Sequence, residues 1–362
     1  MRLWETTRRR RRHRQALDVA ARQVFRDVFP DLPADARLRC RRLRPAGWHD
    51  MVSVEEAREP GRRLVLKALP PSDRDTPRQT QRRVPMLAAE YRLLSEVAPQ
   101  ITAQNPATRC PRALAYRPSP GLLALEAVRG PTLDHVLFGL TPTRERRQVR
   151  HLLELCGEWL ARFHQLTRTR EEGNPFEWAL DAFSRPAVGA ILERCGARAA
   201  QRDLCEVTRA LCTAFPGFRT PRCAIHGAFA PYHILVSEGR IYVLDLESSR
   251  AGYPYEDLAL FQAYYDFRLP WHTPLASTRL PIGEHLPALR AGYARHAPWF
   301  REPDELMLRL ARLHALIRFP LEWRHLVERR PVKSFLRWRW WRRRFQSAYA
   351  EELPILRQAV GR

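Results

Sequence analysis

Residues 234–247, ILVSEGRIYVLDLE, form the one strand-type pair in a stretch of chain otherwise patterned as helix. Its runs of aliphatic and β-branched residues read as a pair of strands. Around this pair, everything after residue 131 reads as long apolar-periodic segments, at 146–167, 188–215, 284–297 and 304–328. Before residue 126 the pattern is the reverse. MVSVEEA and RRLVLKAL are short strand runs separated by the turn signal REPG, and RALAYRPSPGLLALEAVRGPTL gives two strands about a Pro-Gly turn, then a Gly-Pro break. Between them, TPRQTQRRVPMLAAEYRLLSEVAP runs from a loop into an amphipathic helix with Leu87, Tyr91, Leu94 and Val97 on one face. Strands first and helices later, with no internal repeat, predict an α+β chain. The expected parts are a basic arm and helix at 1–35, a strand-rich lobe at 36–125, a hinge at 126–130, a large helical lobe at 131–330 and a basic aromatic helix at 331–362.

The charge balance narrows the partners. Lys plus Arg number 62 against 39 Asp plus Glu, a net charge of +23, which favours anionic partners: nucleic acid, an acidic membrane surface or a phosphorylated ligand. Only Lys67 and Lys333 are lysine. Where arginine has replaced lysine so widely, a surviving lysine marks a position needing a compact, flexible point charge rather than a planar fork. Lys67 is singled out on that ground before any motif. The seven cysteines show no C-x-x-C pair and no metal-ligand spacing, so reduced thiols are expected. The opening MRLWETTRRRRRHRQALDVA has charge with no apolar run behind it, so no secretory signal is expected. No stretch approaches the ~20 apolar residues of a membrane span. The expected location is the cytoplasm, with peripheral contact at the inner membrane surface left open.

The chemistry is carried by spacing. His226-Gly227-Ala228 is followed by His233, then the hairpin, then Asp245-Leu246-Glu247, then GYPYEDLALF from Gly252 to Phe261. This order resembles the aminoglycoside phosphotransferase-like branch of the protein-kinase-like fold, whose pattern is H-G-D-x-x-x-x-N, a hairpin, D-x-E or D-x-D, and G-x-P-x-x-D-L-A. The resemblance covers about residues 40–330 and implies a two-lobed fold, with a small strand-rich N-lobe and a large helical C-lobe. It implies ATP with Mg²⁺ or Mn²⁺ as cofactor. It also implies roles, all suited to a loose transition state in which positioning and charge neutralisation dominate. Lys67 would hold the α- and β-phosphates, and Glu90 would pair with it from the helix. Asp245 would hold the metal, since a hard cation takes carboxylate oxygen. Asp257 would brace the catalytic loop, and the hinge backbone from Glu126 to Val128 would take the adenine. Read without the resemblance, Glu90 is a solvated helix charge. His226 is a structural loop residue on either reading, and His164 is a packed helix residue.

Three departures set the question. Ala228 stands where the family's Asp accepts the hydroxyl proton, and alanine accepts none. His233 stands where Asn supplies a metal ligand, and imidazole suits Zn²⁺, Cu²⁺ or Fe better than Mg²⁺. RRLRPAGWHDMVSVE, where a glycine-rich loop would cover the nucleotide, has only Gly47. Three functions follow. The favoured one is a nucleotide-binding pseudokinase with weak or no phosphotransfer. The second is an active ATP-dependent phosphotransferase on a small hydroxyl compound or lipid-linked sugar, with Glu247 or His233 as substitute base; the charge balance disfavours a cationic aminoglycoside and favours an anionic or lipid-linked substrate. The third is a basic adaptor at a membrane surface or nucleic acid, although no nucleic-acid motif accompanies the charge.

FLRWRWWRRRFQSAY, from Phe335 to Tyr349, bears on the third function. Phe335, Trp338, Phe345 and Tyr349 share a helix face with Trp341 or Arg342 between, and Arg337, Arg339, Arg343 and Arg344 spread over the rest. The helix either docks through its aromatic stripe or meets anionic lipid, and the two are compatible. Arg8 to Arg12 would add a second contact or form a solvated tail. No pattern bears on oligomeric state.

Overall fold

The computed structural model describes residues 2–43, 49–59, 61–69, 77–119, 121–138, 146–272, 284–297, 299–300, 302–322 and 331–361. Gly47 lies outside them, as do the side chains of Arg8 to Arg12, Phe335 and Arg337. The chain divides into a strand-rich unit, residues 1–131 with 235–249, and a helical unit, residues 132–234 with 250–362.

In the first unit, five strands form an antiparallel sheet in the spatial order Leu38–Arg42, Asp50–Glu56, Arg63–Ala68, Leu122–Glu126, Ala113–Arg117. Side chains alternate across a strand, so Leu64, Leu66 and Ala68 share one face with Val52, Val54, Leu122 and Ala124. Leu17, Ala21, Val24 and Phe25 of the helix Arg2–Val28 bury that face. The helix runs through the basic arm as well, beginning at Arg2. The same alternation puts Lys67 on the opposite face, between Met51 and Leu123 in register. The helix Pro77–Glu96 turns Leu87, Glu90 and Leu94 inward, with Tyr91 stacked on Tyr116 at 5.3 Å.

The hairpin joins this unit. Its strands are Ile234–Ser237 and Arg240–Val243, and the second runs parallel to the short strand Thr108–Arg109. Glu238 and Gly239 both have positive φ, 50° and 75°, as a two-residue hairpin turn that follows the strand twist requires. Val236 N–H donates to Pro131 O at 2.9 Å, tying the hairpin to the end of the hinge.

Among its described residues the second unit is mostly helical, with two small two-stranded sheets. Its principal helices are Arg146–Leu166, Pro175–Ser184, Pro186–Arg194, Arg198–Ala214, Tyr255–His272, His285–Ala294, Glu302–Glu322 and Pro331–Val360. The single helix expected over 188–215 is two. Gly196 adopts φ 64° and ends the first, with Ala197 N–H bonded to Leu192 O at 2.9 Å and Gly196 N–H to Glu193 O at 2.9 Å. Residues 323–328 of the expected last segment lie outside the described ones. The C-terminal helix docks with Trp341 rather than Trp338 deepest. Trp341, Phe345 and Ala348 are buried, Trp341 Nε1–H donates to Leu316 O at 2.5 Å, and Tyr349 bonds Asp203. Trp338 and Tyr349 are only partly buried, and Arg339, Arg342 and Arg343 are exposed. Spacing of four, from 341 to 345, selects the docked face; Trp338 is one turn beyond it. Among the described residues no helix is long and apolar enough to cross a membrane.

Helices Arg146–Leu166 and His285–Ala294 meet backbone to backbone. A Cβ on Gly157 would lie 2.0 Å from Leu289 O, and one on Gly292 2.1 Å from Glu154 O. Gly157→Ala is therefore expected to destabilise the protein by about 1–3 kcal/mol, as overpacking does. Gly217→Ala, which meets nothing within 4 Å, should stay within about 0.5 kcal/mol of wild type. Urea titration of the two variants checks the contrast, and equal stability would show that the helices separate without cost.

Candidate active site

The strand Arg63–Ala68 delivers Lys67 to the face away from the N-terminal helix, where it is 5% exposed. Its Nζ meets three carboxylates: Glu90 Oε2 at 2.7 Å, Asp245 Oδ1 at 2.5 Å and Glu247 Oε2 at 2.9 Å. Glu90 also accepts a hydrogen bond from Leu246 N–H through Oε1, at 3.2 Å. One glutamate from a helix thus fixes both the lysine and the turn that follows the hairpin. Asp245 has φ 67° and ψ 58°, left-handed and unusual for a non-glycine residue. Such a conformation costs of order 1–3 kcal/mol and persists where the surroundings impose it. The turn Leu246–Ser248 then swings Glu247 back toward Lys67.

Sequence reasoning passed over His49. Its Nε2 lies 3.0 Å from Glu247 Oε2, and the residue is 6% exposed. A signal was present: His49 stands two residues before Met51, which pairs with Lys67, so the two-residue period puts it on the lysine's face.

Three carboxylates share one ammonium, and the proton affinities reflect it. Burial pushes the Lys67 amine down, but Glu90, Asp245 and Glu247 override this and raise it above the ordinary range. Burial pushes Glu90 up to about 7 against the pull of Lys67, with Asp245 and Glu247 adding to the rise. Glu90, Asp245 and Glu247 each place a carboxylate oxygen within 4.8 Å of the others.

The second unit builds the loop from His226 to His233. Asp257, fully buried at the start of the helix Tyr255–His272, accepts from His226 N–H at 2.6 Å through Oδ2 and from Gly227 N–H at 2.8 Å through Oδ1. His164 Nε2 also reaches Oδ2, at 3.1 Å, and its Nδ1 meets Tyr293 OH at 3.0 Å. His164 is packed, as its helix pattern implied, but it is also a partner of Asp257. Burial works against the Asp257 charge, yet His164, His226 and their hydrogen bonds hold its carboxyl below the usual range. Phe229 anchors the loop, stacked against Trp159 at 5.9 Å and packed on Phe261 at 5.5 Å. Ala228 N–H donates to His226 Nδ1 at 3.3 Å, and His233 Nδ1 lies 2.9 Å from Ala228 O. A carbonyl only accepts, so Nδ1 of His233 carries the proton and the lone pair of the neutral ring is on Nε2.

In the stretch expected to be the hinge, Glu126 N–H donates to Arg112 O at 2.9 Å, and the Glu126 carboxylate accepts from Arg112 N–H at 3.2 Å. Val128 lies in irregular chain and is partly buried. Its main chain makes no hydrogen bond among the described residues.

The chain belongs to the phosphotransferase enzyme family, whose model matches residues 41–299. The solved structures it resembles share the protein-kinase-like fold. A choline kinase from Cryptosporidium parvum Iowa II has 11% identity and a TM-score of 0.56, over 94% of this chain and 97% of that one. A macrolide 2'-phosphotransferase from Brachybacterium faecium has 17% identity and a TM-score of 0.52, again over 94% and 97%. A thermostable aminoglycoside phosphotransferase in complex with ADP and hygromycin B has 14% identity and a TM-score of 0.51, over 86% and 93%. No curated protein matches the sequence.

Removing one partner of a buried ionic cluster typically costs about 3–5 kcal/mol, and Lys67→Ala is expected to cost that much at pH 8. The three carboxylates then face one another without a cation, so their folded pKa values rise. A carboxyl raised above its unfolded value is stabilised below that value and loses the benefit as pH rises. The deficit of Lys67→Ala should therefore shrink at pH 5, where protons replace the ammonium. Urea titrations of wild type and variant at both pH values check this; a deficit independent of pH would reduce Lys67 to a packing role.

Proposed function

We propose that this member of the family binds nucleotide and metal but transfers phosphoryl groups slowly or not at all. The observation that carries the reading is the cluster at Lys67 set against the methyl group at Ala228. The lysine, its orienting glutamate and the two acidic residues of Asp245-Leu246-Glu247 are assembled, while the position of the proton acceptor is chemically inert.

The residues fit a divalent cation. Their donors are three carboxylates, hard oxygen ligands of the kind Mg²⁺ and Mn²⁺ take. Three carboxylates meet the single ammonium of Lys67, a formal excess of negative charge that a divalent cation would offset. Asp245 and Glu247 would hold the metal, whose chemistry when bound is to neutralise charge on the phosphates. Lys67 then has a second use: its ammonium occupies the carboxylates now and would turn to phosphate oxygens when a cation relieves them. Glu90 would keep it oriented. The main chain at Val128 would meet the adenine edge.

The transfer step lacks its acceptor. Loss of a general base typically lowers a rate by about 10²–10⁴, or about 3–5 kcal/mol of barrier. Asp257 is a poor replacement, because both of its oxygens accept backbone or imidazole hydrogen bonds and its carboxyl is held low. Glu247 is engaged by Lys67 and His49. His233 would approach a ligand through Nε2. A loose transition state makes modest demands on a base, so slow turnover is compatible with this chemistry.

Mg·ATP at a hundred times its Kd should add about 2.7 kcal/mol of stability to wild type, read as a rise in Tm of several degrees. Mn·ATP should do the same, and Lys67→Ala should abolish both shifts. An unshifted wild type at millimolar nucleotide would overturn the reading.

A further inference from the structure

In the helical unit, three arginines lie in segments that carry or adjoin a set of packed aromatic rings. The His314 ring meets Trp178 edge-on at 5.3 Å and Phe183 at 6.0 Å. Trp178 in turn meets Tyr253 at 6.2 Å. Three arginines are placed by this set. Arg185 closes the helix that carries Trp178 and Phe183. Arg318 follows His314 by four residues, so the two share a helix face. Arg250 lies three residues before Tyr253, in the strand Arg250–Gly252.

That strand locates the group relative to the chemistry. It pairs antiparallel with Cys223–Ile225, with Arg250 opposite Ile225, and the next residues are His226, Gly227 and Ala228. A molecule held at Arg250 therefore lies beside the loop where an acceptor hydroxyl would be presented.

We propose that Arg185, Arg250 and Arg318, around His314 and Trp178, form a binding site for a small acceptor bearing a phosphate or other anionic group, with Trp178 against its ring. The site deepens the reading of the protein as a member of the phosphotransferase family and rests on it for the word acceptor. Anion binding itself needs no nucleotide.

Electrostatics agree with the geometry. After burial, the charges that push His314 down, to about 3, are Arg318, Arg185 and Arg250, all positive. Among the described residues three carboxylates stand nearby, of which Glu177, beside Trp178, acts on Tyr253. Asp181 takes Nη2 of Arg185 at 2.6 Å, and Glu256, 8% exposed, takes Nη2 of Arg250 at 2.6 Å. Each guanidinium has five N–H donors in a fixed fork, so one such contact orients it without exhausting it. Glu256 also accepts from Tyr253 N–H at 3.1 Å, which holds Arg250 and the ring pair in one frame. Arg222 adds a further positive charge, its guanidinium 6.0 Å from the Tyr253 ring centre. Trp178 and His314 are both partly exposed. A cationic acceptor would meet repulsion here.

The test uses the full chain and three probes: inorganic phosphate, glucose 6-phosphate and glucose, followed by calorimetry and by the imidazole proton signals, with His314 assigned from its absence in His314→Gln. Phosphate should bind and move the His314 signal, glucose 6-phosphate should bind more tightly, and glucose should not bind. Arg318→Gln should weaken phosphate and glucose 6-phosphate about ten- to hundredfold, the loss of a hydrogen bond between charged groups, and Arg185→Gln should weaken them in the same direction. Both variants should keep the wild-type Tm shift with Mg·ATP. Lys67→Ala should leave the His314 response intact, which separates this site from phosphate at the nucleotide cluster. Loss of the His314 response in Lys67→Ala, no anion binding, or equal binding by all variants would overturn the proposal. If Mg·ATP still shifts the wild type, the nucleotide reading survives that failure; if neither ligand binds, both fall.

Discussion

The ammonium of Lys67 ties three segments distant in sequence: its own strand, the helix bearing Glu90, and the turn after the hairpin that bears Asp245 and Glu247. Each charge in such a cluster has left water at a cost of several kcal/mol, and the ion pairs offset this only while the partners stay together. The rest of the strand-rich unit is arranged around that condition. The five-stranded sheet gives Lys67 a fixed direction, with the N-terminal helix covering the face it does not use. Leu246 N–H fixes Glu90 from behind, and the left-handed Asp245 is the conformational cost of bringing two acidic residues to one ammonium. Three carboxylates against one ammonium leave a formal excess of negative charge, which suits the proposed binding of a divalent cation.

The loop from His226 to His233 is shaped by contacts to its backbone and to Phe229. Asp257 grips two consecutive backbone N–H groups, and His164 and Tyr293 grip Asp257 in turn. Phe229 is locked between Trp159 and Phe261. All of this shapes the loop, and none of it touches the side chain at position 228. An alanine is accommodated without disturbing any of those contacts, so the form of the loop does not depend on an acidic side chain at that position. His233 closes on the loop's own carbonyl at Ala228, a contact that orients the ring while holding one of its two nitrogens.

Much of this was legible in the chain because local signals coincide. Lys67 stood out as one of two lysines, residues 234–247 read as a strand pair, and the offsets from His226 to Asp257 agreed at once. The family and the α+β fold followed from them. What escaped depends on contacts the chain cannot announce. His49 looks like a loop residue until the strand register brings it to Glu247. His164 follows the periodicity of a packed helix, which says nothing of the aspartate it meets. Gly196 sits inside a continuous apolar pattern, and only its left-handed backbone splits the helix. Trp338 and Trp341 are alike in residue type, and the helix opposite decides which is buried. The grouping of Arg185, Arg250 and Arg318 joins three segments with no shared pattern.

Restoring the two altered positions of the loop bears most directly on whether the site binds without efficient transfer. The measurement is the steady-state ATP turnover of wild type beside an Ala228→Asp, His233→Asn double variant, both saturated with Mg·ATP. Wild type should fall well below the ~1–100 s⁻¹ typical of kinases. The double variant should exceed it by at least about tenfold, since base and metal ligand act as a unit whose effects need not add. A wild type already within that range, or a double variant that binds Mg·ATP and turns over no faster, would contradict this assignment of the loss to positions 228 and 233.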